Sequence, residues 1–161
     1  MQAKDSLDTF YKVMDPWGYR RNPDDRVRKE NILAALEPNQ YQRALDIGAG
    51  EGFITEDLPA NEVHAIEWSD RAARRLAEHI TRVGEPEGKY DLVVATGVLY
   101  PHYHYGRMHW WIDRCASKTV LTCNIKAWEV PLESKHLKQV HEEEFPYREY
   151  VQKLRIYEST A

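Results

Sequence analysis

Residues Asp46-Ile47-Gly48-Ala49-Gly50-Glu51-Gly52 set three glycines at alternate positions directly behind Tyr41 to Ile47, a run that reads as a strand. A chain that must turn sharply off a strand and let a ligand approach its backbone needs positions without a Cβ. The pattern therefore predicts a strand-to-helix corner that doubles as a binding loop. Its GxGxG spacing differs from the GxGxxG of dinucleotide sites, and Asp46 stands two residues before the first glycine. A dinucleotide pyrophosphate is anionic and takes bare helix N-terminal amides. An acid at this point favours a cationic group instead, such as the ammonium of a methionine moiety, met directly or through water.

The rest of the chain alternates strand and helix signals around this corner. Asp15-Pro16-Trp17-Gly18-Tyr19 reads as a turn, and Asn22-Pro23-Asp24-Asp25 supplies capping groups for a helix over Arg26 to Leu36 that stops at Glu37-Pro38. A helix from Phe53 to Leu58 follows the glycines. Val63 to Trp68 is a second strand, with Ser69-Asp70 capping a helix that runs to about Ile80. Tyr90 to Ala95 has the apolar density of a buried strand, Arg107 to Cys115 is helical, Lys118 to Asn124 is a strand, and Lys138 to Tyr157 suggests a closing antiparallel hairpin. With 161 residues the chain fits one core and not two. The expectation is an α/β fold: a single doubly wound, Rossmann-like domain over 1–161, with a mostly parallel sheet in a three-layer αβα arrangement. Residues 1–40 form an N-terminal segment that covers the ligand. In such sheets ligands bind beyond the strand C-termini where the winding reverses, which places the glycine turn at the site.

Glu67 closes the second strand about twenty residues after the first glycine, where a carboxylate accepts hydrogen bonds from both hydroxyls of a ribose. Trp68 beside it offers a ring for adenine to lie against. Through ALDIGAGEG, VHAIEWSDRAARRL and YDLVVATGVLY, the sequence over about 41–126 resembles the class I S-adenosylmethionine-dependent methyltransferases. Within them, DPWGYRRNPDDRVRKENILAAL and LVVATGVLYPHYH look similar to the nodulation protein S (NodS) type of N-methyltransferase. The resemblance implies S-adenosyl-L-methionine as cofactor and S-adenosyl-L-homocysteine as product. Asp46, Gly48, Ala49, Gly50 and Gly52 then line the methionine half and Glu67 the ribose, while Trp17 and Tyr19 reach over from the N-terminal segment. Those two aromatic residues serve equally well as a plug packing the arm on the domain. Of Arg26, Arg28 and Lys29, Arg28 is the choice for the methionine carboxylate. The interval between Asp70 and Tyr90 leaves little room for the usual third strand and its adenine-contacting acid, for which Glu85 or Glu87 can substitute.

Methyl transfer is an in-line displacement, so the protein mainly aligns its reactants, and an amine acceptor must be neutral when it attacks. Thr96 and the following Gly97 to His104 come after the fourth strand signal, where the reacting methyl points; His102 or Tyr100 are the candidate proton-handling residues, against a bland aromatic surface loop. His102, His104 and His109 lack the carboxylate and spacing of a zinc site, and no metal is expected. Cys115 and Cys123 read as buried thiols. A net charge of −4 makes nucleic acid an unfavourable partner, the longest apolar runs are too short for a membrane span, and the N-terminus lacks the apolar core of a signal peptide. A cytoplasmic enzyme acting on an amine, or less readily a hydroxyl, of a small molecule or sugar is the leading expectation. The rivals are a protein that binds or cleaves S-adenosylmethionine without methylating an acceptor, and a nicotinamide-dependent oxidoreductase, which the glycine spacing disfavours.

Overall fold

The computed structural model describes residues 4–160; the outermost ends of the expected 1–161 domain, residues 1–3 and 161, lie outside the described residues. A short helix α1 (Lys4–Phe10) leads through a turn to α2 (Pro23–Leu36), which starts as the sequence directs: Asn22 accepts the N–H of Asp24 and Pro23 takes the first turn, where no N–H is needed. Strands β1 (Tyr41–Ile47), β2 (Ala60–Ile66), β3 (Ile80–Arg82), β4 (Tyr90–Thr96), β5 (Ala116–Ile125), β6 (Leu137–Tyr147) and β7 (Tyr150–Ser159) form one sheet in the order β3-β2-β1-β4-β5-β7-β6. The first five strands run parallel and β7 pairs antiparallel with both β5 and β6, so the expected closing hairpin is present. The chain walks outward from β1 to β3 and then returns to the other side of β1 with β4. The reversal therefore falls between the C-terminal ends of β1 and β4.

Leu92, Val93, Val94 and Ala95 of β4 are all fully buried because the sheet is covered on both faces. Val93 and Ala95 belong to a core shared with Met108, Trp111 and Ile112 of α4 (Tyr105–Cys115), while Leu92 and Val94 belong to one shared with Ile32 and Leu36 of α2. Two main helices, one per face, thus complete the three layers. Among the described residues, no helix is long and apolar enough to cross a membrane.

Two expected helices are cut short. The segment after the glycine turn holds only a 3-10 turn at Thr55–Asp57, not a helix over Phe53 to Leu58: Leu58 is already extended (φ −62°, ψ 134°), as the residue before a proline prefers. The helix capped by Ser69, α3, spans only Asp70–Ala73, and the expected continuation to Ile80 is replaced by turns. Ile80, Thr81 and Arg82 instead pair with Val63, His64 and Ala65 as the third strand, which fits into the short interval between Asp70 and Tyr90 after all. Helical propensity along Arg74 to Ala77 yields there to the packing of Leu76 and Ile80 on the sheet core and to parallel pairing with β2.

Candidate active site

Beyond β1 the backbone turns through Gly48 (φ +76°) and Gly50 (φ +59°), left-handed conformations that suit glycine. The N–H groups of Gly48 and Ala49 both donate to the Ile66 carbonyl, at 2.8 and 3.2 Å, which ties the turn to the end of β2. A Cβ on Gly48 would stand 2.4 Å from Cγ1 of Val98, so β4's following loop presses directly on this residue. A cavity opens over the turn, about 1080 Å³ of space when the solvent at its mouth is included.

Its lining gathers Asp46, Gly48, Ala49, Gly50, Glu67, Trp68, Thr96, Trp17, Tyr19 and Arg28, residues singled out in sequence that span 80 positions of chain from Trp17 to Thr96. Gly52 is not among them. Its φ of +86° serves the turn, and its missing Cβ makes room for Leu76, whose Cδ2 would lie 3.1 Å away. We therefore expect Gly52→Ala to lower unfolding stability by about 1–2 kcal/mol, the usual cost of a left-handed alanine. Ligand affinity of the folded protein should change less than about twofold, since its ligand-facing contacts are intact; calorimetric titration beside thermal melts checks both.

Asp46 sits at the floor, 2% exposed. Its Oδ2 accepts the Thr55 hydroxyl at 2.7 Å, while Oδ1 is buried with no hydrogen-bond partner within the protein. Burial pushes its carboxyl up to about 6, an effect that the Thr55 bond only partly offsets and that the nearby Glu67 charge reinforces. A buried acceptor without a donor is costly and marks a place where a ligand's N–H fits. Arg28 lies across from it on α2, 3% exposed, its guanidinium 4.9 Å from the Tyr19 ring centre and its Nε donating to Asp25 Oδ1 at 3.3 Å.

At the other end Glu67 accepts the N–H of Gly50 at 2.7 Å and of Ser69 at 2.8 Å, one on each carboxylate oxygen. Burial raises its carboxyl above the usual range in spite of these two bonds. Each oxygen retains a second lone pair, so the carboxylate can still accept a pair of hydroxyls. Trp68, half-buried, and Trp111 and Met108 from α4 supply apolar walls beside it.

The roof comes from the N-terminal segment. Trp17 stacks on Phe10 at 4.4 Å and donates its indole N–H to the Tyr11 hydroxyl at 3.2 Å; Tyr19 stacks between Trp17 and Phe53. Glu51 accepts the N–H of Asp15 and an Arg75 guanidinium N–H, at 2.8 and 3.0 Å, strapping the segment over the glycines. Trp17 and Tyr19 thus line the cavity and pack the arm at once.

The cavity does not include His102 or Tyr100. Tyr100 is turned inward, where its hydroxyl accepts the Ile125 N–H at 2.8 Å, and exposed His102 stacks on its ring. Tyr103 occupies the wall where those two were expected, and burial raises its phenol to about 12. Glu85 and Glu87 also stand outside the lining and are exposed. Among the described residues no group of three or more His, Cys, Asp or Glu is placed to hold a metal ion, and Cys115 and Cys123 are buried thiols. Sequence reading missed Tyr11, Phe53, Tyr103, Met108 and Trp111. The last two carried a usable signal, since the spacing of Met108, Trp111, Ile112 and Cys115 marks the inward face of a helix.

No protein-family model matches the sequence, and no curated protein matches it. The fold has solved counterparts. N-methyltransferase NodS from Bradyrhizobium japonicum WM9, in complex with S-adenosyl-L-homocysteine, superimposes with a TM-score of 0.83 at 19% identity, over 100% of both chains. Magnesium protoporphyrin IX methyltransferase (ChlM) from Synechocystis PCC 6803 with bound S-adenosylmethionine gives 0.67 at 14% identity, over 98% of this chain and 97% of that one. The putative methyltransferase in complex with the Haloferax volcanii Trm112 activator gives 0.69 at 10% identity, covering 96% and 98%. The architecture is therefore the Rossmann-like fold of the class I methyltransferases. Within that class its resemblance is to the NodS fold, at a sequence distance that carries shape and not activity.

Proposed function

We propose that this chain is an S-adenosylmethionine-dependent methyltransferase that acts on an amine, or less readily a hydroxyl, of a small molecule or sugar. The observation that carries this reading is the pairing of a partnerless buried acceptor, Asp46 Oδ1, with a buried guanidinium, Arg28, in one cavity floored by the glycine turn. Such a pair matches the ammonium and carboxylate of an amino acid. Glu67 suits the ribose hydroxyls, and Trp68 with Trp111 and Met108 suits the adenine ring. A nicotinamide dinucleotide, by contrast, would bring its anionic pyrophosphate to the glycine turn beside Asp46. The residues present therefore fit the cofactor that the fold class suggests.

When bound, that cofactor supplies an electrophilic methyl on a sulfonium. The chain's own residues then have two tasks. Asp46, Arg28 and Glu67 fix the donor's ends, and the roof of Trp17 and Tyr19 excludes water, which makes the displacement effectively intramolecular. The acidic side chains of the lining are committed: Asp46 and Glu67 keep their open acceptor sites for the donor's ammonium and ribose, Glu51 is held by Asp15 and Arg75, and Asp15 by the N–H of Tyr19. An amine acceptor then arrives neutral on its own account. The rate is expected to rise with pH through the acceptor's pKa and level off above it. His102→Ala should change kcat by less than about threefold, below the loss usual for a general base.

Incubating the protein with methyl-labelled donor and a panel of primary and secondary amines tests the activity. Label in an amine, with S-adenosyl-L-homocysteine formed in equal amount, supports the proposal. Cofactor binding without label in any acceptor favours a binding or cleaving protein.

A further inference from the structure

The two-residue turn between β6 and β7 is Arg148-Glu149, and Arg148 holds a left-handed φ of +51°. Glycine or asparagine suits that conformation better, so an arginine there indicates that its side chain has work to do. That side chain reaches back across the fold. Arg148 Nη2 donates to Asp25 Oδ2 at 2.7 Å and to the Trp17 carbonyl at 2.8 Å, while its backbone N–H donates to Asp24 Oδ2 at 2.7 Å. The residue before it, Tyr147, donates its hydroxyl to Asp25 Oδ1, also at 2.7 Å.

Asp25 is wholly buried, and the same Oδ1 receives Nε of Arg28. One carboxylate therefore joins three things: the guanidinium that faces the amino-acid end of the cavity, the carbonyl of its aromatic roof through Arg148, and the tip of the C-terminal hairpin. The Arg28 guanidinium contacts two rings, that of Tyr19 at 4.9 Å and that of Tyr147 at 5.6 Å. Arginine side chains have many rotamers, and fixing one before a ligand arrives saves the ordering cost at binding. Asp25 shares its charge with two arginines, so the Nη end of Arg28 is not neutralised by a dedicated partner and remains available to an anion.

We propose that Asp25, Tyr147 and Arg148 are positioning residues that orient Arg28 toward the carboxylate of the methyl donor. The proposal rests on the methyltransferase reading above. It makes the C-terminal hairpin, remote in sequence from the glycine turn, part of donor recognition.

The test compares S-adenosyl-L-homocysteine with 5′-methylthioadenosine, which has the nucleoside and thioether but no amino-acid carboxylate, by calorimetric titration of the intact protein. Tyr147→Phe and Arg148→Met are expected to weaken binding of the first about tenfold, the scale of one impaired charge-assisted hydrogen bond. Binding of the second should stay within about twofold, since Arg28 then has no carboxylate to meet. Arg148→Lys should retain wild-type affinity for both, because the two side-chain bonds leave a single nitrogen that an ammonium can replace. Tyr147→Phe keeps the ring in place and gives a folded variant should Arg148→Met unfold. Equal losses for both ligands, or no loss for the first, would overturn the proposal. Failure of the wild-type protein to bind either ligand would instead remove the donor reading beneath it.

Discussion

Asp46→Asn is expected to leave the empty protein slightly more stable at pH 7 while weakening donor binding about tenfold to a hundredfold, the range of a lost charge-assisted hydrogen bond. The two effects have one cause. The carboxyl, raised from 3.8 to about 6 by burial, binds its proton more tightly in the folded chain than in the unfolded one. Folding stability therefore falls as pH rises through that interval, and the full penalty, of order 3 kcal/mol for about two pK units, is present above it. Asparagine removes the penalty and still accepts the Thr55 hydroxyl. It leaves a buried amide N–H without an acceptor, at about 1–3 kcal/mol, so a net gain of about 1 kcal/mol remains, or roughly 2–4 °C in Tm. Melts at pH 7 and pH 4 check the sign, because the gain should be lost and reversed at the lower pH, where the wild-type carboxyl is protonated in the folded state and most of its penalty is gone, while the asparagine still carries its unpaired amide. Donor affinity of the wild type should also fall below pH 6, by up to about tenfold per unit. That of Asp46→Asn should be flat over the same range. A destabilised variant with unchanged affinity would mean that Asp46 is a structural residue and not a ligand contact.

Gly48→Ala is expected to be the most damaging single methyl in the glycine turn. An alanine at φ +76° costs about 1–2 kcal/mol in backbone strain, and its Cβ would overlap the Val98 side chain at 2.4 Å, adding about 1–3 kcal/mol. A loss of about 3 kcal/mol is a large part of a domain's whole stability of about 5–15 kcal/mol and corresponds to a Tm lower by about 6–12 °C. Val98 is β-branched and has few rotamers with which to give way. The pair Gly48→Ala with Val98→Ala should therefore recover the overlap but not the strain, and be more stable than the sum of the single effects by at least about 1 kcal/mol. Additive losses in thermal unfolding would show that the two residues do not press on one another.

Local chemistry makes part of this molecule readable from its sequence. The strand Tyr41–Ile47 has its expected ends because an apolar run stops at the first glycine that turns, and Ser69 caps the next helix because its hydroxyl accepts the Ala72 N–H at 3.2 Å. The strand-to-helix corner was legible because glycine type and spacing mark it, and Asp46, Gly48, Gly50 and Glu67 do line one cavity. What stayed hidden depends on partners far along the chain. Ile80 to Arg82 resembles the end of a helix until β2 is there to pair with it. Tyr100 looks like a phenol free to meet a substrate until the Ile125 N–H claims it. The grip of Arg148 on Asp25 spans 123 residues, and nothing local to either residue announces it.

The central claim, that the glycine-turn cavity receives an adenosyl amino acid, is tested most directly by titrating the protein with S-adenosyl-L-homocysteine at pH 7.5 in a calorimeter, with NADH as the comparison. One-to-one binding of the first, weakened by Asp46→Asn, with no heat from NADH, is the predicted result. Binding of NADH alone, or of neither compound, would contradict it.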